Sequence, residues 1–158
     1  MFVYLSGQIL DWEEANLWRN SIQEIAGEYG LSVLNPIESQ DSHESGYREL
    51  IYARNMKLLE KADLVLVRWE DKKNSVGTVV EICKAKEKGV PVVVLASSPK
   101  LAAQLDEDPY MMHLHTMQSV LFFSQDNVRD VFEWFDTLPH EAFVKGGYGP
   151  NWTPQFIA

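Results

Sequence analysis

Glu81 closes the segment Ser75-Val76-Gly77-Thr78-Val79-Val80-Glu81, which leads from a polar loop into a helix. Two chemistries fit a carboxylate at that place. Thr78 followed three residues later by Glu81 has the pattern of a capping box, in which the two side chains satisfy orphan amides at a helix start. The alternative is a nucleophile. A carboxylate in the first turns of a helix is kept ionised by the dipole, and an ionised carboxylate can attack a sugar carbon to form a covalent glycosyl-enzyme. Spacing does not choose between the two.

The elements around Glu81 show how it would be positioned. Lys61 to Ala96 reads strand, loop, helix, strand. Asp63 to Val67 is an apolar run of strand length, and Val90 to Ala96 is rich in β-branched residues. Between them Val79, Val80, Cys83 and Ala85 recur near helical spacing and predict an apolar helix face. Two strands joined by a helix of this length form a parallel crossover unit. Ligands of such folds sit at the carboxyl ends of the strands, where this loop lies.

Further motifs stand in a definite order. Tyr4 and Gly7 lie in VYLSGQ, Asn55 and Asp63 in ARNMKLLEKADLVL, and Gly77, Thr78 and Glu81 in SVGTVVEICKAKEKGVPVVVLA. Over roughly the first two-thirds of the chain this order resembles the nucleoside 2-deoxyribosyltransferase family, together with the related nucleoside 5′-monophosphate N-glycosidases. The resemblance implies that Glu81 is the nucleophile, that Tyr4 hydrogen-bonds and positions it, and that Asn55 contacts the nucleobase. It implies substrate contacts from Gly7, Gln8, Ser75, Gly77, Thr78 and Tyr110, with the Tyr110 region acting across a subunit interface. It implies neither cofactor nor metal.

Several departures qualify that pattern, one of them Tyr110, in a region where the transferases supply an Asn or similar group across a subunit interface. Ser75 stands where transferases acting on free nucleosides usually carry an Asp, and where the monophosphate N-glycosidases carry a Ser that binds the 5′-phosphate. The arginines that those N-glycosidases place after the first strand are replaced here by Gln8-Ile9-Leu10-Asp11. Asn55 replaces an Asp that exchanges a proton with the base in many members. An amide does not titrate usefully, but it can hydrogen-bond a base edge.

The rest of the chain sets the limits. Its 158 residues suffice for one domain with a real core, and no apolar run approaches a membrane span. The start MFVYLSGQ reads as a strand and not as a signal peptide. Cys83 is the single cysteine and is expected in the core, so neither a disulfide nor a cysteine metal site is expected. His113 and His115 would diverge on a helix, which argues against a metal centre there. These features fit a cytoplasmic protein. The net charge of −9 and the lack of a basic stripe argue against a nucleic-acid polymer as partner. A small nucleoside or nucleotide and a free nucleobase remain compatible, since helix amides can hold a single phosphate.

Strands are expected at Phe2 to Ser6, Leu31 to Leu34, Asp63 to Val67, Val90 to Ala96 and Gln118 to Phe123. Helices are expected near Trp12 to Tyr29, Tyr47 to Ala62, Gly77 to Gly89, Pro99 to Leu105 and Asp126 to Phe135. Leu50, Ile51, Met56, Leu58 and Leu59 should face inward on the second of these. The acidic stretch Ile37 to Gly46, with Glu38, Asp41 and Glu44, reads as a solvated loop, or as a pocket wall for ribose hydroxyls. The pattern is that of a doubly wound, flavodoxin-like α/β domain over 1–138, with a five-stranded parallel sheet in the order 2-1-3-4-5. The tail 139–158 would pack on the domain or on a neighbouring subunit, and a homo-oligomer is expected. Three functions stay open: deoxyribosyl transfer between bases, hydrolysis of a deoxynucleoside monophosphate, and a non-catalytic nucleotide-binding module.

Overall fold

Alternation along the central strands divides the molecule into two layers of core. The computed structural model describes residues 1–9, 11–37, 48–71 and 76–138. Within them run β1 (Phe2–Gly7), α1 (Trp12–Glu28), β2 (Ser32–Leu34), α2 (Arg48–Leu59), β3 (Leu64–Trp69), α3 (Val76–Glu87), β4 (Val92–Ala96), α4 (Pro99–Asp106), α5 (Pro109–Leu114), β5 (Leu121–Phe122) and α6 (Gln125–Asp136). All strand pairs are parallel and the order is β2-β1-β3-β4-β5. This is the doubly wound, flavodoxin-like architecture. Its topological switch lies between β1 and β3, where Gly7 stands beside Arg68.

On one face Val3, Leu5, Leu64, Leu66, Val93 and Leu95 pack against α1 and α6. On the other, Tyr4, Val65, Val67, Val92, Val94 and Ala96 pack against α2, α3, α4 and α5. Period-two alternation therefore assigns Tyr4 and Ser6 to the α3 face. Four helix starts among the described residues are fixed by side-chain caps: Asp11 for α1, Ser98 for α4, Asp108 for α5 and Ser124 for α6.

Several expectations need correction. The buried face of α3 is Thr78, Glu81, Ile82 and Ala85, so Val79 and Cys83 point outward. The apolar residues there form a wider arc than one stripe, and the buried side is chosen by the contact with β1. Leu50 is exposed as well. β5 is confined to Leu121–Phe122. The reason lies in β4: the Val92 N–H donates to Thr116 Oγ1 and the Val94 N–H to His115 Nδ1, each at 2.9 Å. Side chains thus close the edge that a longer β5 would have used. The acidic stretch from Glu38 to Gly46, Ser75 and the tail 139–158 lie outside the described residues.

Candidate active site

Glu81 does not cap its helix. α3 begins at Val76, so Thr78 and Glu81 both lie inside it, and the Glu81 carboxylate reaches across to β1 instead. The Tyr4 hydroxyl donates to Glu81 Oε1 at 2.8 Å. The Ser6 hydroxyl donates to Glu81 Oε2. Asn55, on α2, lines the same cavity as this carboxylate, and its side chain favours the ionised form. Tyr4 and Ser6 have no exposed surface, and Glu81 retains 8 %. A carboxylate gripped through both oxygens, with a small part of its surface open, is held in one orientation.

Burial drives the electrostatics. It pushes the Glu81 carboxyl above the ordinary carboxylate range, while the Ser6 and Tyr4 hydrogen bonds, the Arg19 charge and Asn55 pull it back. The dipole of α3 acts little at this position, because Glu81 lies beyond the first turn. Burial, then the Glu81 charge, then the hydrogen bond raise the Tyr4 hydroxyl far above its usual range, so Tyr4 stays a neutral donor.

A cavity of about 320 Å³ opens in front of the carboxylate. Asn55, Gly77 and Glu81 line it together with the apolar Ile51, Met56 and Val80. Its size and its mixture of apolar wall and few polar groups suit a small organic ligand. One atom in this region, Asn55 Oδ1, is buried without a hydrogen-bond partner among the described residues.

The other expected residues are distributed as follows. Gly7 meets its own core: a Cβ there would lie 2.9 Å from the Trp18 ring, so close packing requires glycine. Gln8 lines a different cavity, of about 280 Å³, with Trp18, Arg68, Glu14 and Glu70. Thr78 is buried beside Glu81 in α3, and Tyr110 is 79 % exposed at the start of α5. Of the two histidines, His115 has both ring nitrogens engaged, Nδ1 by Val94 and Nε2 by the Ser119 carbonyl.

Sequence reading missed two residues. Ser6 was legible in principle, since it stands two residues after Tyr4 and must share its face. Arg19 lies on the inward stripe of α1, between Ala15 and Ile22, and is 1 % exposed. Its guanidinium donates to the Ala15 and Gly7 carbonyls, each at 3.1 Å, and lies 4.1 Å from the Trp18 ring centroid.

Known proteins share this architecture. A 2-deoxyribosyltransferase from Bacillus psychrosaccharolyticus superposes with a TM-score of 0.61 at 16% identity, over 90% of this chain and 96% of that one. A 2-desoxiribosyltransferase from Leishmania mexicana gives 0.63 at 12% identity, over 87% and 99% of the two chains. A CMP N-glycosidase from Clostridium botulinum gives 0.55 at 17% identity, over 87% and 100%. At such identities these likenesses establish the fold. No curated protein matches the chain. The family model for nucleoside 2-deoxyribosyltransferases matches residues 3–127, which carry every strand and the whole Glu81 site, and the chain belongs to that family.

Proposed function

We propose that this protein cleaves the N-glycosidic bond of a 2′-deoxyribonucleoside or its 5′-monophosphate and transfers the deoxyribosyl group to another base. The observation that carries this is the Glu81 carboxylate, fixed through both oxygens by Tyr4 and Ser6 and facing the cavity beside Asn55. In the first step Glu81 attacks C1′ as the bond from C1′ to the base nitrogen breaks. The electron pair of that bond leaves with the base, which takes a proton from solvent. In the second step a ring nitrogen of the incoming base attacks C1′, loses its proton and releases the carboxylate. Each step inverts C1′, so the product keeps the original configuration. Tyr4 and Ser6 orient the carboxylate, and Asn55 offers hydrogen bonds to the base without titrating. Water in place of the second base would make the same first half a hydrolase.

Incubation with a panel of deoxynucleosides and their monophosphates, with and without a free acceptor base, tests this reading. We expect base exchange, and a deoxyribosyl mass increment on the Glu81 peptide in the absence of acceptor. Equal base release with and without acceptor would replace transfer by hydrolysis. No release from any substrate would leave a binding module.

Ser75 favours a second, narrower reading, in which the substrate carries a 5′-phosphate. A serine hydroxyl donates to a phosphate dianion that an aspartate would repel. A deoxynucleoside monophosphate should then bind more tightly than its nucleoside by about 1–3 kcal/mol, and Ser75→Asp should reverse the order. Calorimetry on the Glu81→Gln protein measures both. Equal affinities would refute this reading.

A further inference from the structure

Among the described residues, Arg19 and Glu81 are the buried side chains of opposite formal charge. Arg19 belongs to α1 and Glu81 to α3, which pack against opposite faces of the sheet. A guanidinium out of water demands compensation. Among the described residues no carboxylate lies within ion-pair distance of Arg19. It has instead the Trp18 ring and the two carbonyls of Ala15 and Gly7, and its Nε is buried without a partner. The Gly7 carbonyl belongs to the residue next to Ser6, whose hydroxyl holds Glu81 Oε2. The cation is therefore tied to the strand end that grips the carboxylate.

We propose that Arg19 is a positioning residue of the site: from behind the end of β1 it holds Glu81 as a carboxylate and fixes the strand segment that orients it. The inference rests on the reading of Glu81 as nucleophile. The coupling runs both ways. The Arg19 charge opposes the rise that burial imposes on Glu81. Burial lowers the Arg19 guanidinium to about 10, and the Glu81 charge acts in the opposite direction. Among the described residues, the other groups near the pair are few. β1 contributes Tyr4 and Ser6, α2 contributes Asn55, and β3 contributes Arg68, whose charge faces Arg19. β4 is apolar throughout, and His113 of α5 is exposed.

Carbon-13 NMR of the Glu81 carboxyl tests the proposal without reference to activity, with Glu81→Gln assigning the resonance. In the full chain, Arg19→Met should raise the Glu81 midpoint by about one pH unit or more. The acid limb of kcat should move with it while KM stays unchanged. Arg19→Lys keeps the charge without the planar fork and should return the midpoint most of the way. An unchanged midpoint in folded Arg19→Met would make Arg19 a core filler and overturn the proposal. A midpoint in Arg19→Lys as high as in Arg19→Met would assign the effect to the fork and overturn it too. If Arg19→Met does not fold, the double variant Arg19→Met/Glu81→Gln decides. Recovery of folding on removing the second charge supports the coupling, and continued failure refutes it. Activity retained in Glu81→Gln would refute the nucleophile alone, leaving the titration result intact.

Discussion

At the scale of single residues, Glu81 sets function against stability. Its folded pKa is raised, so the folded state binds the proton more tightly than the unfolded chain. Stability is thus lost as pH rises from the ordinary carboxylate range through the raised folded value. In its proposed role as nucleophile, by contrast, Glu81 works only after that proton has left. Glu81→Gln removes the buried charge yet can keep both partners, with its carbonyl accepting from Tyr4 and its amide donating to a turned Ser6 hydroxyl. We expect this variant to unfold no lower than the parent at pH 7, with the difference shrinking towards pH 4. Its base release should fall at least about a thousandfold. A lower melting temperature would show that the carboxylate stabilises the fold. The two hydroxyls give a second prediction. Each favours the ionised carboxylate, Ser6 more than Tyr4. Ser6→Ala and Tyr4→Phe should both move the acid limb of kcat/KM upward, Ser6→Ala further, and each should slow the plateau about 10- to 100-fold. Unshifted limbs in both variants would detach the hydroxyls from the nucleophile.

At the scale of elements, the edge of β4 shows how a side chain can stand in for a strand. His115 accepts the Val94 N–H at Nδ1, so its proton must sit on Nε2, where it reaches the Ser119 carbonyl at 2.8 Å. Burial lowers this imidazole to about 4, since a second proton would both charge a buried ring and destroy the acceptor. With a folded pKa below the unfolded one, the unfolded chain takes up the proton first. The contribution is complete above about pH 6.5 and is lost as pH falls towards 4, by about 3 kcal/mol at most. His115→Asn keeps an acceptor without a titration, so its stability should fall less than the parent's between pH 7 and pH 5 in urea melts. Parallel curves would rule out His115 as a source of acid sensitivity. This edge also marks where sequence reading stops. The sheet order and the α3 unit were legible, because buried strands and amphipathic helices announce themselves by period and length. Gln118 to Phe123 looked like a full strand, because nothing local reveals that His115 and Thr116 already occupy β4. The Tyr4–Glu81 pairing came from the order of motifs, whereas Ser6 needed only the two-residue alternation. Arg19 was hidden because a charged residue on an apolar stripe is ordinarily read as solvated, and its partners are carbonyls and a ring contributed by other parts of the fold.

At the scale of the whole molecule, the apolar surface is unevenly distributed. Tyr52 of α2, Val76 and Val79 of α3, and Tyr110 and Met112 of α5 are all exposed, and these three helices cover the same face of the sheet. Tyr52 and Val76 also line the cavity in front of Glu81. Exposed apolar side chains on the helices of one face are the composition of an interaction surface, and one that also covers the cavity would exclude water from the proposed glycosyl intermediate. We expect a second copy of this chain to occupy it, in a homodimer burying at least ~1,000 Å² in total. Charge makes the expectation specific. Each copy carries −9, so the copies repel at low ionic strength while their apolar contact does not weaken with salt. Light scattering at micromolar concentration should therefore show a dimer at physiological salt, with the monomer fraction growing as salt is diluted. Val79→Glu places a new charge on the exposed side of α3 without entering the cavity lining, and should shift the protein to monomer while its folding is unchanged. A monodisperse monomer of the parent chain across the salt range would show that these side chains serve the mouth of the cavity alone.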